Sequence, residues 1–443
     1  MTSQDLARRH RAVLPRWLST YYDDPIAIRR AAGRHVVDQD GRRYLDFFGG
    51  ILTTSIGYDV PQIRDAIQAQ LATGVVHTST LYLIEPQIEL AERITRLSGL
   101  DDAVAFFANS GSEANETALL AAACRSGSNH VVALADSYHG RTFATTGVSS
   151  LPGWQPSPYS PFRVTWADHG RTDPDTGAAP TVEQCVADLR RRLDRVDGPI
   201  AALIAEPVQG LAGFHQLPPG LLHGYHEVVA ARGGVLICDE VQTGWGRTGR
   251  HWWGYEAHGV VPDLLTFAKG IGNGLAIGGV VGSRALLDGL PGKSISTFGG
   301  NPLAACAALA TVDYLLSHDV RRHADRLGTL LSSGLHRLRE RHDSIGAVRG
   351  TGLMLAVDIV DPEQGNPNGG RPDGPRARRV LAAARDAGLL VGVGGAAGNV
   401  LRLAPPMTVT EPEAQTALSL LDTALRAVSD ADALGRPGVP AHA

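Results

Sequence analysis

A chain of 443 residues with 43% hydrophobic and 19% charged side chains can bury one large core with a smaller lobe attached, and is too apolar for a disordered chain. Its net charge of −4 and isoelectric point near 6.5 give no electrostatic case for nucleic acid or an anionic membrane surface as partner. Four scattered cysteines, Cys124, Cys185, Cys238 and Cys306, form no CxxC pair and read as small buried hydrophobes in a reducing compartment.

The first residues, MTSQDLARRHRAVLPRW, have no apolar run suited to a signal sequence. Nowhere do eighteen apolar residues follow one another as a bilayer span requires. A cytoplasmic protein is the expectation. Along the chain, a helix is predicted over 112–125 (SEANETALLAAACR), then a strand at VVALA (131–135), a Pro-rich irregular excursion over 151–161 and a helix over 182–196. A strand follows at ALIAEPV (202–208), a helix over 219–233, and strands at VLICD (235–239), LLTFA (264–268) and IGGVVG (277–282). These short, charge-free runs suit strands covered on both faces. Their alternation with helices predicts an α/β fold around a mostly parallel sheet. After Asn301-Pro302 come helices over 303–317 and 320–341, strands at 352–360 and 400–406, and helices near 375–387 and 411–428. This second pattern predicts a separate α+β lobe. DPEQGNPNGGRPDGP (361–375) is rich in turn formers and should be an exposed, mobile loop, and the last dozen residues a frayed tail.

Only two lysines, Lys269 and Lys293, occur among the 41 Lys+Arg. Arginine cannot lose its proton or form an imine, whereas a desolvated lysine amine can do both. Lys269 follows an apolar strand and is followed by glycines, in FAKGIGNG (267–274), thirty residues after Asp239 at the end of VLICD. Strand ends are where open α/β sheets display ligand groups. Asp239 alone reads equally as a metal ligand, a helix cap or a counter-ion to a buried cation. In NSGSEANETALL (109–120), a Ser-Gly-Ser turn opens a helix whose free N–H groups can hold a phosphate, although a serine there is also ordinary capping. Together the three segments supply a phosphate cup, an anion and an amine. Pyridoxal phosphate needs all three, with the anion keeping its ring nitrogen protonated and the amine joined to its aldehyde as a Schiff base.

At this point the chain resembles the class III aminotransferases of the type I pyridoxal phosphate fold, most of all the alanine–glyoxylate and 4-aminobutyrate branches. The likeness runs from YLDFFGGI (44–51) to RLAPPMT (402–408). It implies a mixed, mostly parallel seven-stranded sheet in a large lobe over 71–302. A smaller α+β lobe would come from 1–70 and 303–430, with a flexible tail over 431–443. It also implies that Ser110, Gly111 and Ser112 bind the cofactor phosphate, and that Tyr138 in SYHGRT (137–142) stacks on the ring. Glu206 in AEPVQG (205–210) would lie on the substrate side. Within DEVQTGWGRTG (239–249), Asp239 would pair with the ring nitrogen, Val241 pack behind the ring and Gln242 bond its phenolic oxygen. Lys269 would carry the imine. Thr297, in STFGGNP (296–302), would reach the phosphate of a neighbouring subunit, so a homodimer, or a tetramer built from it, is implied. Arg402 would hold the substrate α-carboxylate in a bidentate fork, Arg141 a distal carboxylate, and Gly50 and Ile51 of FFGGI (47–51) would line the entrance. No metal is implied.

The implied activity is transfer of an amino group to pyruvate, glyoxylate or 2-oxoglutarate. The donor would be an amino acid such as alanine, 4-aminobutyrate, 3-amino-2-methylpropanoate or an acetylornithine-like compound, and the order ping-pong. Decarboxylases, epimerases and aminomutases share this cofactor core, and Arg402 favours transamination because a clamped carboxylate keeps the C–H bond in line. Nucleotide binding is a poor alternative. GIGNGLAIGG (270–279) has Ile277 where a third glycine belongs, GVGGAA (392–397) runs into a strand, and Leu287 stands where a P-loop ending at Lys293-Ser294 would begin. One departure from the family is GYDVP (57–61), where relatives usually carry Gly-His-x-His-Pro; its expected effect is confined to a helix-start loop.

Overall fold

A computed structural model describes residues 2–172, 178–363 and 370–434. Val235–Asp239 lies inside the larger sheet and is buried along its whole length, as a strand without charge until its last residue must be. The seven strands of that sheet run in the order Ala103–Ala108, Gly278–Ser283, Leu264–Phe267, Val235–Asp239, Ala202–Ala205, His130–Leu134, Arg163–Ala167. All point the same way except Gly278–Ser283, which is antiparallel to both neighbours. A Cβ on Gly279 would meet the Phe106 carbonyl oxygen at 2.5 Å and the Phe267 ring at 2.6 Å, so a larger residue would push the neighbouring strands apart. Helices Gly111–Ser126, Val182–Leu193 and Leu221–Ala230 pack against the sheet.

The sequence misses the two edge strands, Ala103–Ala108 and Arg163–Ala167, for reasons of composition. Three of the six residues in AVAFFA are alanines with little strand preference, and RVTWA alternates polar with apolar because the edge is half-exposed. ALIAEPV is also not one strand. It stops at Ala205, since Pro207 offers no N–H to a ladder, and Val208–Gln209 pairs instead with His215–Gln216. That break leaves Glu206 at the open end of the sheet.

Toward the carboxy terminus, Ile345–Thr351, Met354–Ile359, Val400–Leu403 and Gly392–Gly394 form an antiparallel sheet. Helices Val320–Arg339, Gly374–Asp386 and Glu411–Ala433 accompany it. Val320–Arg339 buries Leu327, Leu331, Leu335 and Leu338 on one stripe, the helical period that binds it to the core. Strands Ile28–Ala32, His35–Asp38 and Arg43–Asp46 form a further sheet, closed by Leu389–Leu390 lying parallel to Arg43–Asp46. The amino-terminal strands are therefore joined to a strand from the carboxy-terminal part of the chain. Of the loop expected over 361–375, residues 364–369 lie outside the described residues, and its end is already helical because Asp373 caps Gly374–Asp386. Helix Glu411–Ala433 enters the expected tail; 435–443 lie outside the described residues. Among the described residues no single helix is long and apolar enough to cross a membrane.

Candidate active site

Strand register places the central acid and amine side by side. Asp239 pairs with Thr266 on the neighbouring strand, and that strand ends at Phe267, two residues before Lys269. Asp239 is almost fully buried. Its Oδ2 accepts from Asn115 Nδ2 and His139 Nδ1, each at 2.8 Å, and its Oδ1 accepts from the Val241 N–H at 3.1 Å. Asn115 is fixed in turn by donating to the His139 carbonyl at 2.8 Å and accepting from Thr266 Oγ1 at 2.6 Å. Three donors therefore hold the carboxylate, a strong arrangement in a water-poor site.

Lys269 sits in a short 3-10 turn with φ of 51°, a left-handed conformation that a non-glycine residue adopts only when its surroundings impose it. Burial lowers its pKa to about 8, against the opposing pull of Asp239 and Glu206, and the Arg402 charge lowers it further. Burial raises the Glu206 pKa, and nearby Asp239 adds to the rise. The Glu206 carboxylate is anchored by the N–H groups of Tyr138 at 3.0 Å and Gly210 at 2.8 Å.

Ser110 caps helix Gly111–Ser126, its Oγ accepting from the Glu113 N–H at 3.2 Å. The serine does cap, yet the first helical N–H groups, Gly111 and Ser112, remain free of partners among the described residues, at the positive end of the helix dipole. A Cβ on Gly111 would meet Val241 at 2.9 Å, so Val241 packs against this turn. Ser112 Oγ accepts from the Arg141 N–H at 3.1 Å. Tyr138 lies edge-on to Trp154, with ring centroids 5.6 Å apart. Gln242 lies against Gly210, where a Cβ would come within 2.4 Å of its amide carbon. A helix-end cup, an aromatic flank, a fixed anion and a buried amine converge on one space, with a glutamine beside it, and these groups fit pyridoxal phosphate.

Arg402 is 1% exposed and has no carboxylate within ion-pair distance among the described residues. Its guanidinium donates to the carbonyls of Gly210 at 3.3 Å and Val393 at 3.1 Å, stacks over Phe48 and Phe214, and keeps a buried Nε without a partner. Burial lowers its pKa, and Tyr21 opposes the fall through charge and a hydrogen bond. Arg141 is exposed, with its guanidinium carbon 5.9 Å over the Trp17 ring. Gly50 and Ile51 belong to a run of left-handed residues, Gly49 to Leu52, and Ile51 is 46% exposed. Thr297 is exposed and not among the groups gathered here.

Sequence reasoning passed over three contributors. Asn115 carried a signal, because a buried asparagine inside a helix must answer to a partner. His139, next to Tyr138, sits in a turn where no local pattern marks a role. Tyr21, 5.7 Å from Phe48 between ring centroids, lies on an irregular segment and gave none. The GYDVP departure also reaches further than a helix start. Tyr58 Oη donates to Asp46 Oδ2 at 2.6 Å, while Asp46 Oδ1 accepts from the N–H groups of Phe48 and Gly49 at 2.8 and 3.0 Å. The tyrosine thereby braces the start of the left-handed run. Tyr58→Phe should lower stability by about 1–3 kcal/mol, the cost of an unmatched buried acceptor. It should also raise the donor's KM without weakening cofactor binding. Denaturation curves, donor kinetics and cofactor titration would show this; an unchanged KM would refute the brace.

The fold and this site define a pyridoxal phosphate enzyme of fold type I. The family model for "Aminotransferase class-III" matches residues 19–425. Human mitochondrial alanine–glyoxylate aminotransferase 2 is 34% identical over 442 residues, covering 94% of this chain and 85% of that protein. Acetylornithine aminotransferase of Mycobacterium bovis is 38% identical over 415 residues, covering 93% and 94%. Among solved structures, an amine transaminase from an uncultivated Pseudomonas species, with pyridoxal phosphate bound, superposes with a TM-score of 0.86 at 30% identity, covering 94% of this chain and 99% of that one. The chain belongs to the class III aminotransferases, and its cofactor is pyridoxal 5'-phosphate.

Proposed function

We propose that this transaminase acts on amino acids whose carboxylate is held by Arg402. The observation that carries the reading is a buried arginine, 1% exposed, with no carboxylate in ion-pair distance among the described residues, close enough to Lys269 for its charge to act on that amine. A cation kept without its anion in a core is costly, and a substrate carboxylate removes that cost with a bidentate fit.

When bound, pyridoxal phosphate supplies the carbon that takes up the amino group and an electron-withdrawing ring. Gly111 and Ser112 N–H groups, with the serine hydroxyls, hold its phosphate; Tyr138 and Val241 flank the ring; Gln242 donates to its phenolic oxygen. Asp239, fixed by Asn115 and His139, holds the proton on the ring nitrogen. Lys269 Nζ would hold the cofactor at its aldehyde end. The same amine, with a pKa brought down to about 8, would serve as the base that takes up and hands on the proton of the donor's α-carbon. Glu206 lies on the substrate side, and Gly50 and Ile51 border the entrance.

The proposed donors are alanine and ω-amino or acetylornithine-like compounds, and the acceptors pyruvate, glyoxylate or 2-oxoglutarate; of these, alanine, glyoxylate and acetylornithine agree with what the relatives' names say of those proteins. Arg141, at the mouth, selects donors with a distal carboxylate. Arg141→Ala should then cut kcat/KM for such donors about 10–100-fold more than for alanine, the value of one charge-assisted contact. Equal losses across a donor panel would refute the assignment.

A cytoplasmic homodimer is the proposed working form. Leu81, Tyr82 and Leu83 are 74%, 71% and 92% exposed, Ile295 and Phe298 60% and 57%, and His77 stacks on Phe298 at 4.5 Å, which brings the two segments together. An apolar patch of this kind suits a second copy, and it carries Thr297 toward the partner's phosphate. Light scattering should give twice 46.8 kDa; a monomer at micromolar concentration would refute it. The four free cysteines suit a reducing compartment.

A further inference from the structure

Within DEVQTGWGRTG, Trp245 has no part in the chemistry described so far. It is 3% exposed, packed edge-on against Trp253 and Phe267, and its Nε1–H finds no partner among the described residues. Three positions earlier, Gln242 Oε1 is likewise buried without a partner. Both side chains border one small cavity, closed by Leu52, Ser55, Val241, Gly244, Arg247, Gly270 and Met407. The space open to a water centre there is about 10 Å³, room for roughly one molecule.

Indole nitrogen can only donate, and an amide oxygen can only accept. Two such orphans on one cavity wall are satisfied together by a molecule that both accepts and donates. We propose that a single buried water bridges Trp245 Nε1 and Gln242 Oε1, making Trp245 a positioning residue for the cofactor's phenolic oxygen. The reading rests on the cofactor placement under Proposed function. The water accepts from the indole and donates to Oε1, so the amide's oxygen is turned into the cavity. Both ends of the amide lie against Gly210, so that contact does not choose between them; the water does, and leaves the Nε2 end to donate to the phenolic oxygen. With the amide reversed, the water would receive two donors and have no acceptor for its own hydrogens on this pair. Gln242 would then present an oxygen to an oxygen. The water thus fixes which end of Gln242 the cofactor meets.

Two measurements test this separately from turnover. A crystal structure of the wild-type holoenzyme that resolves ordered water should show one within hydrogen-bond distance of both Trp245 Nε1 and Gln242. A dry cavity, or a protein atom bonded to either group, would overturn the proposal even if the enzyme transaminates as expected. Second, Trp245→Phe keeps the ring but deletes the donor. It should raise the dissociation constant for pyridoxal phosphate about five- to tenfold and move the pH midpoint of the bound cofactor's absorbance. Trp245→Phe added to Gln242→Leu should cost nothing further, because both act through the same contact. Fully additive losses in the double variant would overturn the bridge. Should Trp245→Phe fail to fold, the wild-type structure still decides.

Discussion

An Asp239→Asn enzyme is expected to fold, bind its cofactor and lose turnover by about 10²–10³-fold or more, the scale seen when one preorganised charge is removed from a reaction centre. Asparagine matches aspartate in size, and its oxygen can still accept from Asn115 Nδ2 or His139 Nδ1, the two donors 2.8 Å from the carboxylate in the wild type. What disappears is the negative charge that the proposal sets opposite the ring nitrogen. The loss should therefore fall on the proton-abstraction step, seen as slow single-turnover conversion of the cofactor by the amino donor. Donor binding should change little, since Arg402 is untouched. The fold can be checked by circular dichroism. An Asp239→Asn variant that turns over within a few-fold of the wild type would remove the anion from the mechanism. Removing a bracket should act more mildly. His139→Ala leaves Asp239 with Asn115 and Val241, so its loss should be smaller than that of Asp239→Asn.

The parts of this site that stand on regular elements are readable from sequence. Asp239 ends an unbroken apolar strand, Lys269 follows another, and the Ser110 turn opens a helix; in each case local pattern decides the position. Lysine scarcity adds a chemical signal independent of pattern. The partners of the brackets are not readable, because they are contacts between distant segments; an asparagine inside an apolar helix signals that Asn115 needs a partner, not which one. Asn115 reaches Asp239 across 124 residues, and Tyr21 reaches Arg402 from a segment with no periodicity. Tyr58 misleads for a related reason. As a replacement in a turn it looks local, yet its hydroxyl ends on Asp46, and through Asp46 it sets a left-handed run that no propensity would choose. At strand boundaries the errors follow edge exposure and Pro207, where one side of the ladder is missing.

Lys269 carries the largest expected effect. Lys269→Arg keeps a cation but cannot form the imine or give up a proton, and Lys269→Ala removes the amine altogether. Loss of proton transfer alone costs about 10²–10⁴-fold, and loss of the covalent anchor adds to it, so both variants should be inactive in steady-state assay. A small primary amine added to Lys269→Ala should restore part of the rate by diffusing to the vacated place, whereas Lys269→Arg should not respond. Borohydride reduction of the wild type should fix the cofactor on Lys269 and leave the exposed Lys293 unlabelled; label on Lys293 would overturn the assignment. The lowered pKa gives a second, independent signature in the apoenzyme. Because the neutral amine is the reactive form, the rate of cofactor capture should climb with pH up to about 8 and then level, where an ordinary lysine would still be climbing. Stability follows the same group with a definite sign. Between about 8 and the ordinary value of 10.5, the unfolded chain binds a proton that the folded chain does not, so the apoenzyme should gain stability as pH rises through that window. Lys269→Met should lose that gain. Parallel stability curves for the two proteins across the window would show that Lys269 is not held neutral by burial.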